Sequence, residues 1–266
     1  MRPGKLRRLG RALASVLPLA ALAAVLVAGC TAGRLALPGD LRVGLHTDYP
    51  PLAFEKDGRV VGIEPDLATL VGREIDRRVR LVPLERSDLI PALERGDIDV
   101  IMSGMSVTPE RSRRVRFIEP YVRVGQMAIL RRDRVADLGR PGDLQRPGVR
   151  VGVVAGTTGE SYATDRLPRA QKRAFESIVL AEDALRAGRI DYLIHDAPTA
   201  WRLGMDLRDG ELIGLYRPLT EEWLAWAVRP DDAELARRLD ALADRWRADG
   251  TVDRVLNAWV PVRIIQ

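Results

Sequence analysis

Three short stretches of this 266-residue chain hold the side chains best suited to chemistry. The first, Ser103-Gly104-Met105-Ser106-Val107-Thr108-Pro109-Glu110-Arg111, follows the apolar run Val100-Ile101-Met102. Small hydroxyl residues and Gly104 let a ligand come close to the backbone, and Thr108-Pro109-Glu110 suits a helix start, with proline and an acid in the first turn. Arg111 would then lie near the open N–H groups of that start, where a planar guanidinium can hold a carboxylate through two parallel hydrogen bonds. It can equally be one more surface arginine, since Arg113, Arg114 and Arg116 follow it. The second stretch, Ala155-Gly156-Thr157-Thr158-Gly159-Glu160, has capping-box spacing at Thr157 and Glu160. It is either a plain capped helix or a turn that aims free backbone donors outward. The third is His195-Asp196-Ala197-Pro198, a loop after Tyr192-Leu193-Ile194, in which Asp196 can pair with a ligand cation or cap the following helix. A carboxylate clamp from one half and a carboxylate from the other suit a zwitterion such as an α-amino acid.

For these loops to meet, strands must end where the loops begin. Leu41-Arg42-Val43-Gly44-Leu45 alternates briefly and runs into turn formers, as a strand entering a loop does, and it is echoed by Val149-Arg150-Val151-Gly152-Val153. Likewise Ala92-Leu93-Glu94-Arg95-Gly96-Asp97-Ile98-Asp99-Val100-Ile101-Met102 is echoed by Ala184-Leu185-Arg186-Ala187-Gly188-Arg189-Ile190-Asp191-Tyr192-Leu193-Ile194. Each longer motif reads as a helix end, a glycine for the left-handed cap and a short buried strand. Offsets of 108 and 92 residues point to two units of similar build rather than a solenoid, with chance recurrence as the alternative. Helical spacing of apolar residues is clearest over 66–75, 89–93 and 233–246. Strands alternating with helices imply an α/β fold with largely parallel sheets, whose ligands sit beyond the carboxyl ends of the strands.

The N-terminus has a different character. Arg2, Lys5, Arg7, Arg8 and Arg11 precede an apolar stretch, 12–28, that ends Val27-Ala28-Gly29-Cys30. This pattern reads as an export signal over 1–29, with the sole cysteine, Cys30, where a bacterial lipoprotein is acylated; an uncleaved membrane anchor is the alternative. Residues 30–39 would then form a lipidated tether. Removing 1–29 takes away five basic and no acidic residues, which leaves 37 of each and turns a net charge of +5 into formal neutrality. Composition therefore offers no support for a nucleic-acid partner. A single cysteine excludes a disulfide scaffold, and two histidines, 46 and 195, are too few for a metal site without carboxylate help and are expected in loops.

Further matches join these motifs: Tyr49-Pro50-Pro51-Leu52-Ala53-Phe54, Gly62-Ile63-Glu64-Pro65-Asp66-Leu67, Ile90-Pro91-Ala92-Leu93, Gly96-Asp97-Ile98-Asp99 and Arg247-Ala248-Asp249-Gly250-Thr251. Together with the Ser103–Arg111 run and Gly156-Thr157-Thr158, they resemble, in order from Leu41 to Trp259, the family 3 extracellular solute-binding proteins, receptors of polar-amino-acid ABC transporters. The resemblance implies a periplasmic-binding-protein-like (type II) α/β fold of two lobes joined by two crossover strands, with the ligand cleft between them. The first lobe would be 40–122 plus 224–266 and the second 123–223. It further implies that Arg111 and the turn at Thr157 and Thr158 bind the α-carboxylate, and that Asp196 binds the α-ammonium. Ser103, Gly104 and Ser106 would line the cleft, and Tyr49 would pack on the ligand side chain. A monomer is expected, tethered by lipid at the periplasmic or outer cell surface and delivering an amino acid to permease subunits. No cofactor and no metal are implied.

Three positions depart from the family pattern. His46 stands where receptors for basic amino acids commonly have an acid, Arg86 replaces an apolar or aromatic residue, and Gly159 replaces a polar one. The first two favour a polar or acidic ligand over a basic one, and the third removes one potential ligand contact. Glu64-Pro65-Asp66 stands where the family has Asp-x-Asp and is read as structural. Two other readings keep the same fold: a cyclohexadienyl dehydratase-like enzyme, and a sensing module that signals by lobe closure.

Overall fold

The computed structural model describes residues 39–205, 210–215 and 217–260; the export segment, Cys30 and nearly all of the tether lie outside them. The first part of the chain forms β1 (Leu41–Leu45), β2 (Asp48–Tyr49), β3 (Ala53–Lys56), β4 (Arg59–Val61), α1 (Ile63–Glu74), β5 (Val79–Pro83), α2 (Leu89–Arg95), β6 (Val100–Ile101), α3 (Pro109–Ser112) and β7 (Arg116–Phe117). After β8 (Val122–Val124) come β9 (Gln126–Arg131), α4 (Val135–Leu138), β10 (Arg150–Val154), α5 (Thr158–Arg166), β11 (Gln171–Phe175), α6 (Ile178–Arg186), β12 (Tyr192–Asp196), α7 (Ala197–Met205) and β13 (Leu212–Gly214). The chain returns through β14 (Glu222–Leu224) to β15 (Ala227–Val228), α8 (Ala233–Ala248) and α9 (Thr251–Trp259).

Two five-stranded sheets result, in the orders β5-β1-β6-β15-β7 and β11-β10-β12-β9-β13. In each, the second strand, β1 or β10, is parallel to both neighbours, and one strand, β15 or β9, runs against the rest. β9 and β15 enter their sheets from outside them, within two residues of β8 and β14. Those two strands pair antiparallel and are the crossovers between the two lobes.

The internal echoes become matching joints. Arg42 donates to both carboxylate oxygens of Asp99 (2.6 and 3.2 Å) and to the Gly96 carbonyl (2.6 Å). Arg150 does the same to Asp191 (2.5 and 3.1 Å) and the Gly188 carbonyl (2.7 Å). Gly96 and Gly188 adopt left-handed φ values of 75° and 66°, as the helix ends require. Gly44 and Gly152 also correspond: a Cβ on either would run into an isoleucine, Ile98 or Ile190. Each joint locks a helix end onto β1 or β10 and so fixes where that strand and the one after the helix end.

One expected loop is absent. β12 runs through His195 and Asp196 directly into α7, so His195 is a buried strand residue and not a loop residue.

Candidate functional site

The carboxyl ends of β1, β6, β10 and β12 face a common cleft of about 970 Å³, a size suited to a small ligand. His46, Arg86, Ser103, Gly104, Ser106 and Arg111 line it from one side, and Thr157, Thr158 and Asp196 from the other. Local order begins with Glu64 at the start of α1. Its buried carboxylate accepts from the Gly104 N–H (2.6 Å), the Tyr121 hydroxyl (2.7 Å) and the Trp226 indole (3.0 Å). Burial raises its pKa. Glu64 thus holds the 103–106 turn from behind, and Gly104 adopts φ 59° where a Cβ would lie 2.8 Å from the Tyr49 ring.

Arg111 follows the helix start that the sequence suggests. Thr108 caps α3 by accepting from the Arg111 N–H (3.2 Å), with Pro109 in the first turn. The guanidinium donates to the Ser106 carbonyl (2.9 Å) and reaches across the cleft toward the Gly156 carbonyl (3.4 Å). The Arg86 guanidinium sits 5.5 Å from the centroid of the Tyr49 ring, a cation–π arrangement. Burial lowers the pKa of both arginines, and for Arg111 the charge of Arg86 adds to it. Among the described residues neither arginine has a carboxylate within salt-bridge distance. Both guanidiniums therefore keep bonding capacity for an anion.

His46 lies beside them. Its backbone N–H donates to Ser103 Oγ (2.9 Å) and its Nδ1 lies 3.1 Å from the Leu84 carbonyl, which requires the proton on Nδ1. Burial, then Arg86, lowers its pKa, so the ring is held neutral.

On the facing side, Thr157 caps α5, accepting from the Glu160 N–H (3.3 Å) and donating to the Val154 carbonyl (2.6 Å). The reciprocal bond of the capping box shifts by one residue, because Glu160 accepts from the Gly156 N–H (2.8 Å). Asp196 accepts from the Tyr49 hydroxyl and the Gln126 side-chain amide, not from an N–H of α7 among the described residues. Burial drives its pKa well above the usual carboxylate range, and Glu222 adds to this. Tyr49 also sets its ring edge-on to His195, 5.2 Å between centroids. Gly159 is off the cleft wall: a Cβ there would lie 2.7 Å from Gln126 Oε1 and 3.0 Å from the Ile194 carbonyl. The space a larger side chain would need is taken by Gln126.

Two contributors escape sequence reading. Gln126 is a polar residue at the start of an apolar strand, and that contrast was the available signal. Glu222 carries no signal of its own. It sits on β14 and gathers the hydroxyls of Ser106, Thr158 and Thr220, each at 2.7 Å.

Comparison with known proteins places this geometry. Residues 41–262 match the model for bacterial extracellular solute-binding proteins, family 3. ABC transporter arginine-binding protein 1 of Escherichia coli (strain K12) is 30% identical over 256 residues, covering 92% of this chain and 98% of that protein. The crystal structure of an ancestral amino acid-binding protein, a precursor of cyclohexadienyl dehydratase, superimposes with a TM-score of 0.76 at 34% identity, over 84% of this chain and 96% of that one. An ancestral arginine-binding protein, 28% identical and covering 83% of this chain, has been solved bound to glutamine (TM-score 0.72, 97% of that chain) and to arginine (0.73, 98%).

Proposed function

The chain belongs to the bacterial extracellular solute-binding proteins of family 3, and on that premise we propose that its cleft captures an amino acid with an acidic or polar side chain. Closure of the lobes then presents the ligand to ABC permease subunits. The observation that carries the preference is the pair of guanidiniums, Arg86 and Arg111, that share the cleft without a salt bridge among the described residues. Arg111 takes the α-carboxylate, the Asp196 carboxylate takes the α-ammonium, and Arg86 over Tyr49 meets the side chain.

Magnitude separates this reading from arginine capture, which the names of two similar proteins suggest. A ligand cation about 5 Å from Arg86 would be repelled by about 3 kcal/mol at an effective dielectric of about 20, and a side-chain carboxylate would be attracted by as much. The Asp48 and Glu85 charges also reach Arg86 and offset part of that field, while the neutral His46 ring adds nothing to it.

The remaining parts of the proposal rest on sequence. Residues 1–29 direct export, Cys30 carries lipid, and 30–39 tether a monomer at the periplasmic or outer cell surface. The lobes are taken as 40–122 plus 224–266 and 123–223.

A thermal-shift screen of the twenty amino acids tests the reading. Ligand at 100 times its Kd adds about 2.7 kcal/mol of stability. Acidic or amide amino acids should raise the Tm, Arg111→Ala should abolish the shift, and prephenate should show no turnover.

A further inference from the structure

The two hydroxyls that flank the cleft floor come from different lobes, and both end on one oxygen. Ser106 Oγ, from the loop after β6, and Thr158 Oγ1, from the first turn of α5, each lie 2.7 Å from Glu222 Oε2. The other oxygen, Oε1, accepts from Thr220 at 2.7 Å. Glu222 belongs to crossover strand β14, and the backbone keeps it in register with the loop: Ser106 bridges Leu224, and the Val107 N–H donates to the Trp223 carbonyl at 2.8 Å.

Hydrogen counting fixes the direction of every bond in this set. A carboxylate only accepts, so Ser106 and Thr158 must spend their single hydroxyl protons on it. Thr158 is fixed a second time, because Gln126 Nε2 donates to its oxygen at 2.9 Å and leaves the proton no role except toward Glu222. The same Gln126 amide donates to Asp196. An ordered chain thus runs from Asp196 through Gln126, Thr158 and Glu222 to Ser106, across both lobes and the crossover between them. Toward the cleft, both hydroxyls have only lone pairs left.

We infer that Glu222 is a positioning residue for ligand capture: by drawing the protons of Ser106 and Thr158 it presents both oxygens as acceptors, so the ligand group seated there is a hydrogen-bond donor. In an amino acid that group is the α-ammonium. The carboxylate is left to Arg111 and backbone N–H groups, and the Thr158 hydroxyl serves the amine instead of the carboxylate. The inference rests on the amino-acid reading of the cleft.

The test compares each amino acid with its counterpart lacking the α-amine: L-glutamate with glutarate, L-glutamine with glutaramate, and L-arginine with 5-guanidinopentanoate. Calorimetric Kd values are taken for the wild type, Glu222→Ala, Glu222→Gln and Thr158→Val. A hydrogen bond to a charged group supports a preference of about tenfold or more, so Glu222→Ala should cut the preference for the amine by about that factor while the deaminated acid binds as well as before or better. Glu222→Gln retains an acceptor oxygen and should keep most of the preference. Thr158→Val removes one acceptor with Glu222 intact, should act in the same direction, and decides the matter if Glu222→Ala does not fold. Equal weakening of both members of a pair in Glu222→Ala or Thr158→Val, or an unchanged preference, overturns the inference while amino-acid capture stands. Failure of all three amino acids to bind the wild type overturns capture, and the inference with it.

Discussion

The two lobes use one joint and different loops. Arg42–Asp99–Gly96 and Arg150–Asp191–Gly188 are the same construction, down to the isoleucine that forbids a side chain on Gly44 or Gly152. Beyond the joints, apart from a threonine helix cap in each (Thr108 and Thr157), the lobes diverge. The first lobe sends out a hydroxyl- and arginine-bearing turn, held from behind by Glu64, whereas the second sends out a capped helix start and a carboxylate on a strand end. Scaffold and chemistry are thus separable: the duplicated part fixes where loops emerge, and the loops differ so that opposite ends of one zwitterion can be met from opposite sides.

The largest expected contrast lies in the histidines. His195, in the second lobe, is buried with neither ring nitrogen bonded among the described residues, and burial, helped by Arg86 and Arg202, lowers its pKa to about 3. Above about pH 6.5 both folded and unfolded chains carry it neutral. Between there and about pH 3 only the unfolded chain takes up the proton, so stability should fall as pH falls, by an amount on the order of 5 kcal/mol across the whole window. Urea unfolding at successive pH values should show this decline, and His195→Phe should flatten it. An equally steep decline in His195→Phe would assign the acid sensitivity to other groups.

The joints should differ next. Asp99 faces Arg77 (3.5 Å) and Arg229 (3.8 Å) in addition to Arg42, whereas its counterpart Asp191 faces Arg150. Removing Asp99 leaves a cluster of like charges, so Asp99→Ala should cost about 3 kcal/mol. Asp191→Ala, whose arginine is more exposed, should cost about 1–2 kcal/mol. Matched denaturation curves read the difference, and equal losses would mean that the extra arginines contribute nothing.

The elements that carry the joints were legible because each is local and repeated, an arginine before a glycine in a strand and a glycine-ended helix before an aspartate, although the Arg–Asp bonds that close them span 57 and 41 residues. Thr108 and Thr157 were legible for the same reason, since a cap and its partner lie three residues apart. Glu222 was not. It lies 116 residues from Ser106 and 64 from Thr158, and nothing in Thr220-Glu221-Glu222-Trp223 marks one acid for the cleft and the other for the exposed pair with Arg123. Gly159 misled in a different way. As a missing side chain it suggests a lost ligand contact, but its volume belongs to Gln126, which arrives from the start of β9.

Calorimetric titration of the purified protein with L-glutamate, L-aspartate and L-arginine tests the central claim most directly. The account predicts saturable binding of an acidic amino acid, lost in Arg111→Ala and weakened about tenfold or more in Arg86→Leu, in line with loss of an attraction of a few kcal/mol. Tight L-arginine binding with no heat from L-glutamate or L-aspartate would contradict it.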